Sequence, residues 1–140
     1  MPAKRPKSSK LDLTRPFVIV DFLFDRGLLS VSIKNAGSMP ATNVRVEFSH
    51  KLMGVDGTVE VSAQALFNSL EFLPAGKEIA TFLDTSASYF RSKQPTLVSA
   101  QITYRDTENR KFEQTIHHNL EIYRDIGFVD LASPRPLPEV

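Results

Sequence analysis

At 140 residues and a formal net charge of +1, the chain has the length for one domain with one core rather than two. With no cysteine it has no disulfide framework, no thiolate nucleophile and no Cys-based zinc site. The basic start MPAKRPKSSKLDLTRP is followed by no apolar run of a secretory signal, and no segment approaches the ~20 apolar residues of a membrane-spanning helix, so a soluble cytoplasmic chain is the expectation.

Charge is unevenly spread. Residues 1–16 carry Lys4, Arg5, Lys7, Lys10 and Arg15 against Asp12, leaving twelve basic and fifteen acidic groups in the rest. A mildly acidic body behind a basic leader argues against nucleic-acid binding, except weakly through the tail. Residues 1–15 are rich in Pro, Lys and Ser and read as a flexible basic tail.

Residues 16–126 read as the folded domain. Phe17 to Phe24 is β-rich and almost continuously apolar, as suits a strand buried on both sides or lying at a sheet edge. Asp25-Arg26-Gly27 is a tight turn, with Gly supplying the positive φ that a hairpin uses. Leu29, Val31 and Ile33 then alternate with Ser30, Ser32 and Lys34, and Val44, Val46 and Phe48 with Asn43, Arg45 and Glu47. Both runs predict strands with one buried face. The Asn35–Pro40 link between them is either a hairpin or a crossing between two sheets.

Gly54, Asp56 and Gly57 mark a loop. Val59 to Leu73 fits strand or short helix, Pro74-Ala75-Gly76 closes it as a turn, and Ile79 to Leu83 resumes a strand. Thr85 to Ser92 predicts one helical turn. Val98, Ala100, Ile102 and Tyr104 alternate with Ser99, Gln101 and Thr103. After a turn at Asp106–Asn109, Phe112, Ile116, Leu120 and Ile122 share one parity, predicting a long returning strand over Arg110–Tyr123. Residues 127–140 lose periodicity and end in SPRPLP, a Pro-rich extended tail.

The run SVSIKNAGSMPATNVRVEF resembles the strand–Asn–x–Gly–x–x–Pro–Ala–x–x–Val–x–Val pattern of bacterial immunoglobulin-like modules, including CARDB-type adhesion modules. FLPAGKEIATFL is similar to their following Pro–x–Gly–Lys–Glu turn, and ITYRDTENRKFEQTI to their final hairpin, with Asn109 near where Gly is typical. The resemblance spans roughly residues 17 to 123 and implies an immunoglobulin-like antiparallel β-sandwich of about seven strands, without catalytic residues.

Candidate chemistry is sparse. His117 and His118 are adjacent on a predicted strand, so their side chains point to opposite faces and do not chelate one metal together. His118 falls in the apolar row and is expected at the core rim, with His117 solvated. Asp106, Glu108 and Asn109 set three oxygen ligands in one turn, fewer than the six to eight of a calcium site, and Asp and Asn are ordinary turn residues. There is no Gly-x-Ser-x-Gly elbow, dinucleotide fingerprint or phosphate loop. No metal, cofactor or enzymatic activity is expected.

The reading is an all-β protein-binding or assembly module with disordered termini, contacting another protein, or a second copy of itself, through sheet edges and loops. The edge candidates are the Phe17–Phe24 and Arg110–Tyr123 strands. The loop candidates are Tyr89, Phe90 and Phe67, aromatics in the two least regular passages, which serve either as partner anchors or as plugs for the ends of the sandwich. The alternatives are a structural component of a larger particle, such as a phage or secretion assembly, and a calcium- or carbohydrate-binding module.

Overall fold

A computed structural model describes residues 14–126. The parts of the two predicted tails at 1–13 and 127–140 lie outside the described residues. Arg15, assigned above to the tail, lies within them, its guanidinium 4.8 Å from the centre of the Phe112 ring.

The strands are β1 (Val18–Asp25), β2 (Leu28–Asn35), β3 (Ala41–Phe48), β4 (Met53–Gly54), β5 (Val59–Glu60), β6 (Leu70–Leu73), β7 (Glu78–Thr85), β8 (Leu97–Arg105) and β9 (Lys111–Asn119). Two short helices, α1 (Ala65–Asn68) and α2 (Ser86–Arg91), lie in the connections. A three-stranded sheet ordered β1-β2-β7 faces a four-stranded sheet ordered β6-β3-β8-β9, with β4 and β5 as a separate ribbon. Every pairing is antiparallel. The protein is an all-β sandwich of seven principal strands.

Alternation builds the core. Leu29, Val31 and Ile33 from β2 and Val98, Ala100, Ile102 and Tyr104 from β8 belong to one buried cluster, all essentially without solvent exposure. Each Val, Leu or Ile so buried stabilises the fold by about 1.5–3 kcal/mol relative to exposure. The β1–β2 hairpin closes through Arg26 (φ 52°) and Gly27 (φ 83°), the two left-handed residues that suit the twist of paired strands.

The Asn35–Pro40 link is the crossing, since β2 and β3 belong to different sheets. Asn35 organises it from a fully buried position. Its Oδ1 accepts from the Phe17 and Gly37 amides (3.1 and 2.9 Å), and its Nδ2 donates to the Met39 and Leu73 carbonyls (2.8 and 3.1 Å). That satisfies the amide side chain completely. Gly37 is the residue that fits beneath: a Cβ there would stand 2.3 Å from the Arg15 carbonyl oxygen.

In β3, Asn43 (φ 50°) forms a bulge where the pairing with β8 shifts register. Ala41 and Val44, an odd number apart, therefore both face the core. The Val59–Leu73 passage resolves into β5, one 3-10 turn at Val61–Ala63, α1 and β6. The final strand is shorter than predicted. β9 stops at Asn119, whose Oδ1 accepts the Glu121 amide at 3.0 Å, and residues 122–126 coil helically. Leu120 keeps the strand parity and is buried, whereas Ile122 is 57 % exposed. Among the described residues no helix is long and apolar enough to cross a membrane.

Candidate functional site: the sheet edges

A two-layer sandwich has four edge strands, here β1, β7, β6 and β9. Each presents outward amides and carbonyls that a further strand can pair with. Which residues face outward follows from the bonds that bound each ladder, because bonded pairs recur every second residue.

The Ala36 amide donates to the Phe17 carbonyl at 2.7 Å, so the odd residues of β1 bond β2 and the even ones face out. The carbonyls of Val18, Val20 and Phe22 are taken. Gln114 Nε2 donates to Val18, the Tyr123 hydroxyl donates to Phe22 at 3.0 Å, and His118 Nε2 lies 2.9 Å from the Val20 carbonyl. The outward Phe22 amide is also taken, by Asp21 Oδ1 at 2.8 Å. Burial and then the negative charge of Asp21 push the Tyr123 hydroxyl up from its ordinary value, which keeps it a donor. Its ring stacks on Phe24 (5.7 Å) and the His118 ring meets Phe22 edge-on (5.0 Å). Side chains from β9 and the turn after it therefore occupy most of the outward carbonyls of β1 and leave less of this edge free for a further strand.

On β7 the bond from the Asn35 amide to the Lys77 carbonyl (3.0 Å) turns Glu78, Ala80 and Phe82 outward. Beyond them the β4–β5 ribbon covers the edge. The Val55 amide donates to the Leu83 carbonyl (3.1 Å) and the Asp56 amide to Asp84 Oδ2 (2.9 Å). Gly54 lets the ribbon approach: a Cβ there would lie 1.9 Å from the Leu83 oxygen. On β6, four residues long, the Leu73 carbonyl is already held by Asn35.

β9 differs. Bonds from the Asp106 amide to the Arg110 carbonyl (3.0 Å) and from the Leu120 amide to the Thr96 carbonyl (2.7 Å) bracket its ladder with β8. The even residues thus bond β8, and the amides and carbonyls of Lys111, Glu113, Thr115, His117 and Asn119 face outward. No backbone group among the described residues pairs with them. The core-facing row of β9 (Phe112, Gln114, Ile116, His118) is only half-buried, unlike the matching row of β8. This is the longest open edge of the described protein.

The loop aromatics sit differently from the partner-anchor expectation. Phe67 and Tyr89 are fully buried and offer no surface. Phe67 plugs one end of the sandwich edge-on to Phe48 (5.1 Å). Tyr89 plugs the connection after β7, its hydroxyl donating to the Pro95 carbonyl at 2.6 Å; burial, aided by the charge of Asp84, pushes that hydroxyl up to about 12. Phe90 is half-buried, with the Arg124 guanidinium 4.2 Å from its ring centre. Their apolar character in irregular passages was the signal, and it marks plugs.

The polar candidates have local partners. His117 and His118 do point to opposite faces, with His117 Nδ1 2.7 Å from Ser99 Oγ on the outer face. No carboxylate among the described residues hydrogen-bonds His117, so this Ser–His pair lacks the orienting group of a triad. Asp106 spends its carboxylate on its own turn. Oδ1 accepts the Glu108 and Arg110 amides (2.9 Å each) and Oδ2 accepts Arg110 Nε (2.7 Å). Its burial opposes ionisation, but these donors outweigh it and hold the carboxyl below the ordinary range. Among the described residues no group of three or more His, Cys, Asp or Glu side chains gathers at one point.

No curated protein and no solved structure matches the chain. A family model described as a domain of unknown function, DUF8453, matches residues 3–124, and the chain belongs to that family.

Proposed function

We propose that this DUF8453 domain is a non-enzymatic protein-binding module that recognises its partner by strand addition along the outer edge of β9. The observation that carries the reading is the edge count among the described residues: three carbonyls of β1 are capped by Gln114, His118 and Tyr123, β7 is covered beyond Phe82, β6 has four residues, and the outward backbone of β9 pairs with no other described strand. Main-chain pairing then supplies affinity, and the alternating outward side chains supply selectivity. The strand order, with β2 and β3 on opposite sheets and three strands facing four, supports an immunoglobulin-like sandwich of the kind the CARDB-type resemblance implies. A chain without cysteine suits the reducing cytoplasm.

Proline separates edge recognition from folding. Thr115→Pro deletes an outward amide that the β8 ladder does not use, and edge strands tolerate such a residue. Ala80→Pro does the same on β7. Affinity capture from the native host is run with both variants and the unchanged chain. Proteins retained by the unchanged chain and by Ala80→Pro, but lost by a folded Thr115→Pro, are the expected result. Identical retention by all three overturns the reading.

A further inference from the structure

We infer that the strand β9 accepts is the β9 of a second copy, paired antiparallel about a two-fold axis through Thr115. The inference rests on the edge reading above and deepens it by naming the partner.

Thr115 is the midpoint of Lys111–Asn119, so pairing centred there aligns all nine residues of both strands. Every outward amide then meets an outward carbonyl, since odd residues face odd residues. The exposed side chains are complementary in the same register. Glu113 lies opposite the second copy's His117, Lys111 opposite Asn119, and Thr115 opposite itself, giving a carboxylate–imidazole contact twice and a threonine pair once. A carboxylate accepting from an imidazole N–H and a Thr–Thr pair are favourable across antiparallel strands, and like charges directly opposite are not.

Slipped registers lose this match. Centring on Glu113 sets two glutamates face to face. Centring on Gln114 sets Lys111 opposite His117 and shortens the overlap, and centring on His117 runs Glu113 off the end of the partner strand. In the Thr115 register the half-buried Phe112 faces His118 and Gln114 faces Ile116, which covers the row that one copy leaves partly wet. The product is one continuous eight-stranded sheet, β6-β3-β8-β9 joined to its own copy, with a single closed symmetry operation.

The chain has no cysteine, which permits a clean test of register. Directly opposed residues in a hydrogen-bonded antiparallel pair have Cα atoms about 5.5 Å apart, within disulfide range. Under mild oxidation full-length Thr115→Cys is expected to cross-link several-fold faster than Glu113→Cys, whose thiols stand well apart across the axis. By sedimentation, His117→Glu is expected to weaken dimerisation about tenfold, by placing glutamates opposite each other twice. The double exchange Glu113→His with His117→Glu should restore it, and Thr115→Pro should abolish it. Amide exchange at Glu113, Thr115 and His117 of the unchanged chain should slow as concentration rises.

Equal cross-linking of the two cysteine variants, or a monomer with fast Thr115 exchange up to submillimolar concentration, overturns the inference. In either case a capture pattern still lost in Thr115→Pro leaves the edge reading standing. A capture pattern unaffected by Thr115→Pro removes both.

Discussion

Replacing Asn35 with Ala tests whether the crossing between the sheets hangs on one side chain. The substitution removes four hydrogen bonds, to the Phe17 and Gly37 amides and the Met39 and Leu73 carbonyls. A typical intramolecular hydrogen bond contributes roughly 1 kcal/mol net, more when its loss leaves a buried partner unsatisfied. The expected cost is therefore about 4 kcal/mol, a large share of the ~5–15 kcal/mol that holds a domain together. Urea unfolding followed by circular dichroism reads it: with a slope of roughly 1–3 kcal/mol per molar, the midpoint should fall by about 2 M. Asn35→Asp separates donors from acceptors, because it keeps the two bonds to Oδ1 and turns a carboxylate on two carbonyls. That carboxyl should have a folded pKa above its unfolded one, so the variant should gain stability as pH falls below neutral. A loss below about 1 kcal/mol for Asn35→Ala, or an Asn35→Asp variant as stable as the unchanged chain at neutral pH, would refute the staple.

Three further outcomes are expected. Tyr89 has a folded pKa near 12 against an ordinary 10.0, so its contribution is complete below pH 10 and lost as pH rises towards 12, by roughly 2–3 kcal/mol; the difference in alkaline unfolding between the unchanged chain and Tyr89→Phe checks it. Asp106, held below the ordinary carboxyl range, stabilises above its unfolded pKa and stops doing so as pH falls through the folded one, so Asp106→Asn should be less stable at neutral pH and flatten the acid limb of a stability–pH curve. Gly54→Ala drives a Cβ into the Leu83 carbonyl and should cost about 1–3 kcal/mol, with faster amide exchange at Val55 and Asp56 as the local sign that the ribbon has left β7.

Strands were legible wherever apolar residues alternate, as in β2, β3, β8 and β9, because burial of one face imposes a period of two. The length of β9 was overread for the same reason: Leu120 keeps the parity and is buried, but the Asn119 side chain has already turned the chain. Val59–Leu73 stayed ambiguous because only Val61, Phe67 and Leu73 are buried there, one in each of three short elements. The bulge at Asn43 was hidden, since the alternation after it is intact. The Asn35–Gly37 pattern was recognisable as turn chemistry, but its partner Leu73 is 38 residues away. The edge count was least legible. Gln114, His118 and Tyr123 cap carbonyls 96 to 101 residues earlier, and nothing in a local pattern reports which backbone groups a distant side chain will occupy. Phe67 and Tyr89 were visible as aromatics in irregular passages; only packing shows that they face inward.

The capping of β1 by side chains from the other sheet carries a consequence for stoichiometry. A sandwich with two long open edges can add neighbours on both sides and grow without limit, the geometry of a fibre. Here Gln114, His118 and Tyr123 cap three carbonyls of β1, the opening left on β7 is three outward residues long, and β6, the far edge of the sheet that holds β9, has only four residues. Strand pairing through β9, as proposed, would end at a pair, because the described residues of its product present no second long edge from which a filament could extend.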